Sequence, residues 1–291
     1  MHTPVLINET MQALNLKPGN YIIDGTYGGG GHSAALLERI GPTGKLLAID
    51  WNEHAVRECI ERYAHDGRVI CAVGNFAELP EITRLTHYPK AHGLLLDLGL
   101  SSDLLEHSGR SFSFQEDEPL IMTYNDAQEP VMALLERLRE DELADIIKTC
   151  GEEPEAKRIA KAIKERARKK PIETTGDLID VIMRAVPKRG RLHPATKTFM
   201  ALRIYANTEL DNVRAALMNI ETLVAPGGRV AIISFHSLED RIVKQQFRAL
   251  EKKGRAALIT KKPITATTEE KRANPRSRSA KLRAIIYTHN T

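Results

Sequence analysis

The sequence predicts an α/β fold: a doubly wound, mostly parallel sheet with an antiparallel edge strand, carrying an inserted helical domain. Three observations predict it. Apolar runs end on an acidic residue three times, at Asp24, Asp50 and Asp97. The first of these runs leads through a glycine-rich turn into helical spacing, the order strand, loop, helix. From residue 104 to about 195 strand-like alternation gives way to helical spacing, and the sheet pattern then resumes.

Residues 1–20 form a lead-in, with a short helix over 10–16 stopped by Pro18-Gly19. The first strand, Tyr21-Ile22-Ile23, ends on Asp24. Gly25 and Gly28 to Gly31 make the turn, and His32-Ser33 opens a helix with apolar residues at Ala35, Leu36 and Ile40. Glycines let bare backbone approach a ligand beside a helix N-terminus. No Gly-Lys-Ser/Thr follows, so the phosphate-cradling Walker pattern is absent. Gly29-x-Gly31-x-x-Ala34 meets the permissive dinucleotide pattern, and four consecutive glycines also suit a plain flexible turn. Asp24 separates these readings, because a carboxylate beside the loop accepts from an ammonium and suits a cationic ligand better than a pyrophosphate.

The second strand, 45–50, ends on Asp50, about 20 residues past the last glycine, where an acidic side chain takes ribose hydroxyls in doubly wound nucleotide-binding folds. A helix over 53–64 leads to a third strand, 69–73, and to Gly74-Asn75-Phe76. Phe76 suits either an adenine ring or a plug in the core. The fourth strand, 92–99, carries Asp97. One structural salt bridge would explain one such carboxylate. Three in register are better explained by a site on the carboxyl edge of one sheet.

The inserted segment includes helical stretches over 140–149 and 155–170. The second sets Ile159, Ile163 and Ala167 on one face and carries Lys157, Arg158, Lys161, Lys164, Arg166, Arg168, Lys169 and Lys170. Such a run suits a solvated face or a phosphate-facing surface. Pro187-Lys188-Arg189-Gly190-Arg191 adds a basic turn. The expected division is 1–103 with 196–291 as one domain and 104–195 as the insertion. After it, Pro194 starts a long helix marked by Phe199, Leu202, Leu210, Val213, Leu217 and Ile220. A fifth strand spans 229–235, His236-Ser237-Leu238-Glu239-Asp240-Arg241 follows, and strands over 257–262 and 282–288 form an edge hairpin flanking the basic loop 274–281.

The whole chain sets bounds on these readings. With 291 residues and 42% hydrophobic content it can bury a substantial core. A net charge of +4 permits an acidic partner without requiring one, although the C-terminal portion is markedly basic. Cys59, Cys71 and Cys150 are few, scattered and odd in number, which argues against a disulfide framework or a zinc site and for a reducing compartment. No signal peptide or membrane-spanning run is read.

HTPVLINET, DGTYGGGGHS, LLAID, GNFAEL, LLLDLGLSS, GRSFSF, GEEPEAKRIAKAI, HPATKTFMALRIYANTEL, ISFHSLEDRIVK and NPRSRSAKLR occur in this order from residue 2 to 283. In these motifs the chain resembles the S-adenosylmethionine-dependent methyltransferases of the RsmH or MraW family, which modify N4 of a cytidine in small-subunit (16S) ribosomal RNA. The resemblance implies a class I methyltransferase, Rossmann-like, acting in the cytoplasm on 16S rRNA, within the small ribosomal subunit, without a metal or a membrane. It implies cofactor contacts at Gly30, Gly31, His32, Asp50, Phe76 and Asp97, to which the reading of the residues adds Asp24. The chain departs from the family pattern at Leu104, where Gln is usual, at Ser111, where Gly is usual, and across Ile121 to Tyr124, which lacks the usual acid and base. No general base is assigned; Ser101, Ser102, Ser234 and His236 are the candidates. Monomer and homodimer stay open. The competing readings are a non-catalytic RNA-binding assembly factor that keeps the fold and a nicotinamide-dependent dehydrogenase. Titration with S-adenosylmethionine or NAD separates them.

Overall fold

The computed structural model describes residues 4–100, 109–113, 116–187 and 192–288. Ser101, Ser102, Leu104, Phe114 and residues 188–191 lie outside them. The chain divides into two compact units, Met1–Leu100 with Leu210–Thr291, and Ser101–Glu209.

The first unit is a sheet flanked by helices. Its parallel strands are β1 (Tyr21–Asp24), β2 (Lys45–Asp50), β3 (Val69–Val73), β4 (Ala91–Asp97) and β5 (Val224–Ser234). To these add β6 (Ala256–Leu258), β7 (Ile264–Thr265) and β8 (Lys281–Tyr287), in the order β3-β2-β1-β4-β5-β8-β6 with β7 also on β8. β8 runs antiparallel to both β5 and β6. The late strands therefore pair as expected, but β8 lies inside the sheet and β6 is the outer strand. The strand expected over 257–262 is cut short at Leu258 as β6, and β7, beyond its expected end, is a further short strand on β8. β5 starts before Pro226-Gly227-Gly228, a signal that reads as a turn; the strand absorbs it through a register shift against β4 between Ala91 and Gly93.

Period-two alternation gives the sheet two apolar faces. Ile23, Leu47, Ile49, Leu94, Leu96 and Ile232 share one core, and Ile22, Leu46, Ala48, Leu95, Ala231 and Ile233 share the other. Helices α1 (Ile7–Leu14), α2 (Gly31–Ile40) and α3 (Glu53–Arg62) supply Leu14, Leu36, Leu37, Ile40 and Cys59 to the second face. Helix α4 (Leu79–Leu85) supplies Leu79 and Ile82 to the first. Burying a side chain of this size contributes roughly 1.5–3 kcal/mol, so the strand tips stand on a rigid base.

Cys59 of α3 and Cys71 of β3 form a disulfide, with Cα atoms 6.2 Å apart. This corrects the expectation of unpaired cysteines. Spacing in the chain carries no sign of the pair, because contact arises only when α3 folds back onto β3.

The second unit contains α5 (Val131–Arg137), α6 (Glu140–Gly151), α7 (Ala156–Ala167), α8 (Thr175–Ala185) and α9 (Thr196–Ala206). Its core includes Leu143, Ile147, Ile159, Ile163, Leu178 and Ile182. Phe199 and Leu202 of α9 join that core, so the return to the first unit comes at Leu210 rather than at the expected 196. The long helix expected from Pro194 is broken as well. Asn207 caps α9, and Thr208 takes φ 49 before α10 (Glu209–Met218) and α11 (Ile220–Leu223). Asn207 is wholly buried, its amide donating to Met122 O at 2.7 Å and Arg203 O at 2.9 Å, and this fixes the break.

Candidate active site

Asp24, Asp50 and Asp97 end three adjacent strands. Asp24 pairs in register with Ala48 of β2 and Leu95 of β4, each two residues before the acidic tip of its own strand. Three carboxylates thus end adjacent strands at the carboxyl edge, Asp24 two residues below the level of the other two, where open α/β sheets bind ligands.

Their surroundings differ. Asp24 is fully buried; its Oδ2 accepts from Ser33 Oγ at 2.7 Å and its Oδ1 from Thr26 N–H at 3.2 Å. Burial pushes its carboxyl above the usual range, against the Ser33 hydroxyl, the nearby His32 and Thr26 N–H, which pull it down. Through Ser33 it fastens the end of β1 to the first turn of α2. Asp50 takes Gly28 N–H at 2.7 Å on Oδ2 and Asn52 N–H at 2.8 Å on Oδ1. The backbone N–H of Trp51 also bears on the carboxylate, which keeps acceptor capacity for a hydroxyl donor. Burial raises its carboxyl too, opposed by these N–H groups. Asp97 is tied through its own N–H to Thr26 Oγ1 at 2.6 Å. Its carboxyl is pushed up to about 7 by burial, with Gly99 N–H opposing and the charge of Glu239 adding.

The glycines shape a close-fitting cradle. Gly30 holds φ 71 as N-cap of α2, and a Cβ there would stand 2.5 Å from the Tyr27 hydroxyl. A Cβ on Gly31 would meet Pro4 at 3.0 Å, and one on Gly25 would meet Leu96 at 2.5 Å. Among the described residues no side chain caps α2, whose start is the kind of helix terminus that receives an acceptor. His32, in the first turn, is buried with Nε2 3.1 Å from Val5 O. Phe76 follows Asn75, which caps the short 3₁₀ turn Phe76–Glu78, and packs half-buried against the core beside Gly25. Sequence reasoning missed Thr26, Ser33 and Val5; each acts through one or two polar atoms whose partners are set by the fold, and no motif marks it.

His236 and Ser234 follow the same edge. His236 is the N-cap of α12 (Ser237–Lys252) in a reciprocal capping box: Nδ1 accepts Glu239 N–H at 3.4 Å, and Glu239 Oε2 accepts the N–H of Phe235 at 2.8 Å and of His236 at 3.3 Å. Its Nε2 lies 2.9 Å from Glu239 Oε1. The imidazole is thus engaged in starting a helix. Ser234 Oγ donates to Lys281 O at 3.4 Å and is buried. Beyond it, Arg283 Nε donates to Asp240 Oδ1 at 2.6 Å, joining β8 to the start of α12.

With that geometry in place, the MraW methylase family matches residues 1–287. The chain belongs to the MraW methylase family. Its relatives include proteins named ribosomal RNA small subunit methyltransferase H. The one from Symbiobacterium thermophilum is 42% identical over 98% of this chain and 96% of the relative. The one from Desulfotalea psychrophila is 44% identical over 97% of each. Among solved structures, an rRNA methylase from Streptococcus thermophilus aligns over 99% of both chains with 10% identity and a TM-score of 0.45. The sheet has the mostly parallel arrangement expected from the sequence, five parallel strands followed by an antiparallel strand set between β5 and β6. Among the described residues no helix is long and apolar enough to cross a membrane.

Proposed function

We propose that this chain is an S-adenosylmethionine-dependent methyltransferase acting on N4 of a cytidine in 16S rRNA of the small ribosomal subunit, in the cytoplasm. The observation that carries the reading is the set of three acidic strand tips around an uncapped helix start, in a chain that belongs to a methylase family over nearly its whole length. The residues fit such a donor. Gly30 and Gly31 offer backbone where a Cβ would collide with Tyr27 or Pro4. Asp50 keeps acceptor capacity for a ribose hydroxyl, and Phe76 offers a ring beside Gly25 for an adenine. His32 and Asp97 complete the wall, with Asp24 fastening the end of β1 to α2 through Ser33. The donor's sulfonium supplies a methyl group already activated for transfer. The protein's own task is to hold the amine in line, an orientation effect of up to roughly 7–11 kcal/mol, and to receive a proton.

Exposed cations suit the phosphates of an RNA. In the second unit, which we propose recognises the substrate, Lys157, Arg158 and Lys161 of α7 are exposed, whereas Lys164 donates to Leu135 O and Arg166 pairs with Asp177. In the first unit Arg278 is exposed on the turn Pro275–Ser279. The test is mass spectrometry of small-subunit RNA from cells with and without the gene, beside calorimetry with S-adenosylmethionine. Loss of one N4-methylated cytidine together with donor binding supports the reading. Donor silence with intact RNA binding would replace it with an assembly factor. Replacing Arg276 and Arg278 together by Ala lowers RNA affinity and flattens its salt dependence if that turn meets phosphate.

A further inference from the structure

His32 touches two acceptors. Its Nε2 lies 3.1 Å from Val5 O and its Nδ1 lies 3.6 Å from Asp97 Oδ2. A backbone carbonyl only accepts, so the hydrogen of a neutral ring is on Nε2 and a lone pair is on Nδ1. That lone pair faces a carboxylate oxygen. Two acceptors face to face repel, and 3.6 Å is too long for a hydrogen bond. One added proton turns the repulsion into a hydrogen bond.

We infer that Asp97 and His32 form a one-proton pair in which Asp97 takes the proton that the target amine loses and His32 is the positioning residue that holds that proton in place. The inference rests on the methyltransferase reading and adds to it the proton acceptor that the sequence leaves unassigned. Exposure gives the pair a direction: the Asp97 side chain is 17% exposed and that of His32 only 6%, so the proton enters at Asp97.

The surroundings agree. The charged groups that face the pair are acids, Asp24 toward His32 from β1 and Glu239 toward Asp97 from α12. Burial holds the His32 imidazole below its usual range, although Asp24 and the bond to Val5 pull it up. Burial holds the Asp97 carboxyl up, at about 7. The proton-loaded pair is therefore a neutral carboxyl donating to a neutral imidazole, and the empty pair is an ionised carboxylate beside the same imidazole. A base with its midpoint near the working pH is the efficient one.

The step balances. The nitrogen lone pair forms the N4–C bond while the donor's S–C bond breaks and leaves its electron pair on sulfur. The N4–H bond then breaks with its pair returning to nitrogen, and the proton goes to Asp97, shared with His32 Nδ1. The positive charge that began on sulfur ends as that proton, and the carboxylate ends neutral.

Two measurements test it. The first uses the free protein labelled with 15N-histidine and needs no turnover. His32 should keep its hydrogen on Nε2 from pH 5 to 9, with its Nδ1 signal deflected at a midpoint near 7, and Asp97→Asn should abolish that deflection. An ordinary imidazole titration, unchanged in Asp97→Asn, overturns the pairing. The second is single-turnover methyl transfer to small-subunit particles across the same range. The wild-type rate should rise with pH to a plateau with that midpoint. His32→Gln keeps an amide for Val5 O but has no Nδ1; it should lower the midpoint and cut the plateau, read at saturating donor, about tenfold. Asp97→Asn should lose roughly 10²–10⁴-fold in rate. A wild-type midpoint in His32→Gln, or a loss in Asp97→Asn that is all donor affinity, overturns the proton role. A wild type that transfers no methyl removes the methyltransferase reading, and the first measurement still decides the pair. Melting curves for both variants establish that they fold.

Discussion

Ser33 Oγ donates to Asp24 Oδ2 across 2.7 Å, and both residues are fully buried. This one bond joins the end of β1 to the first turn of α2 and so sets the path of the glycine loop between them. Ser33→Ala removes the donor and leaves the carboxyl one partner short, a loss of roughly 1–3 kcal/mol in urea unfolding. The pH dependence carries a sign. A carboxyl whose folded value is raised above 3.8 contributes stability that is complete below 3.8 and is lost as pH rises through the folded value. Ser33→Ala strips a donor from the ionised form, so the folded value rises further and the decline extends to higher pH than in the wild type. Identical pH profiles would mean that Ser33 does not feel the charge on Asp24.

His236 invites a catalytic role by its place after β5, yet its imidazole caps α12. His236→Ala should cost about 1 kcal/mol, the usual value of a lost N-cap. His236→Asn, a good cap, should restore both stability and methyl transfer. An Asn variant that is stable but inactive would return the residue to the list of bases.

The Cys59–Cys71 bond closes a loop with a sequence separation of 12. Loop-closure entropy alone gives such a bond about 3 kcal/mol. Reduction, or replacement of both cysteines by Ala, should lower the melting temperature accordingly, and mass spectrometry of the non-reduced protein should find residues 59 and 71 in one linked peptide pair. Because β3 leads directly into the turn that carries Phe76, donor affinity is the companion readout.

Ser111 stands at φ 57, a conformation suited to the glycine usual in the family. Its hydroxyl repays the strain by donating to Arg110 O at 2.7 Å and accepting Ile121 N–H at 3.1 Å. Ser111→Gly relieves roughly 1–2 kcal/mol of backbone strain, and Ile121 N–H keeps Pro119 O at 2.8 Å, so losing the hydroxyl costs only about 1 kcal/mol and the variant should be neutral to stabilised by about 1 kcal/mol. Ser111→Ala loses the bonds and keeps the strain. The expected order in urea midpoints is Gly, then wild type, then Ala.

Local pattern determined a good deal of this protein. Alternation placed the five parallel strands, the acidic residues at 24, 50 and 97 marked their tips, and the glycines between the first two marked the cradle, because each signal is complete within a few consecutive residues. Ordered motifs along the chain were enough to identify the family. Tertiary structure decided what those residues touch. It turned Asp24 inward onto Ser33, gave His236 to a helix start, joined two cysteines that spacing keeps apart, and assigned Phe199 and Leu202 to the second unit's core. It also set His32 between Val5 and Asp97, and Leu6 N–H against Glu270 Oε1 across 264 residues of chain. An apolar helix face fits any core of suitable shape, and a carboxylate binds whichever donor folding brings within about 3 Å; both choices are made by atoms distant in sequence.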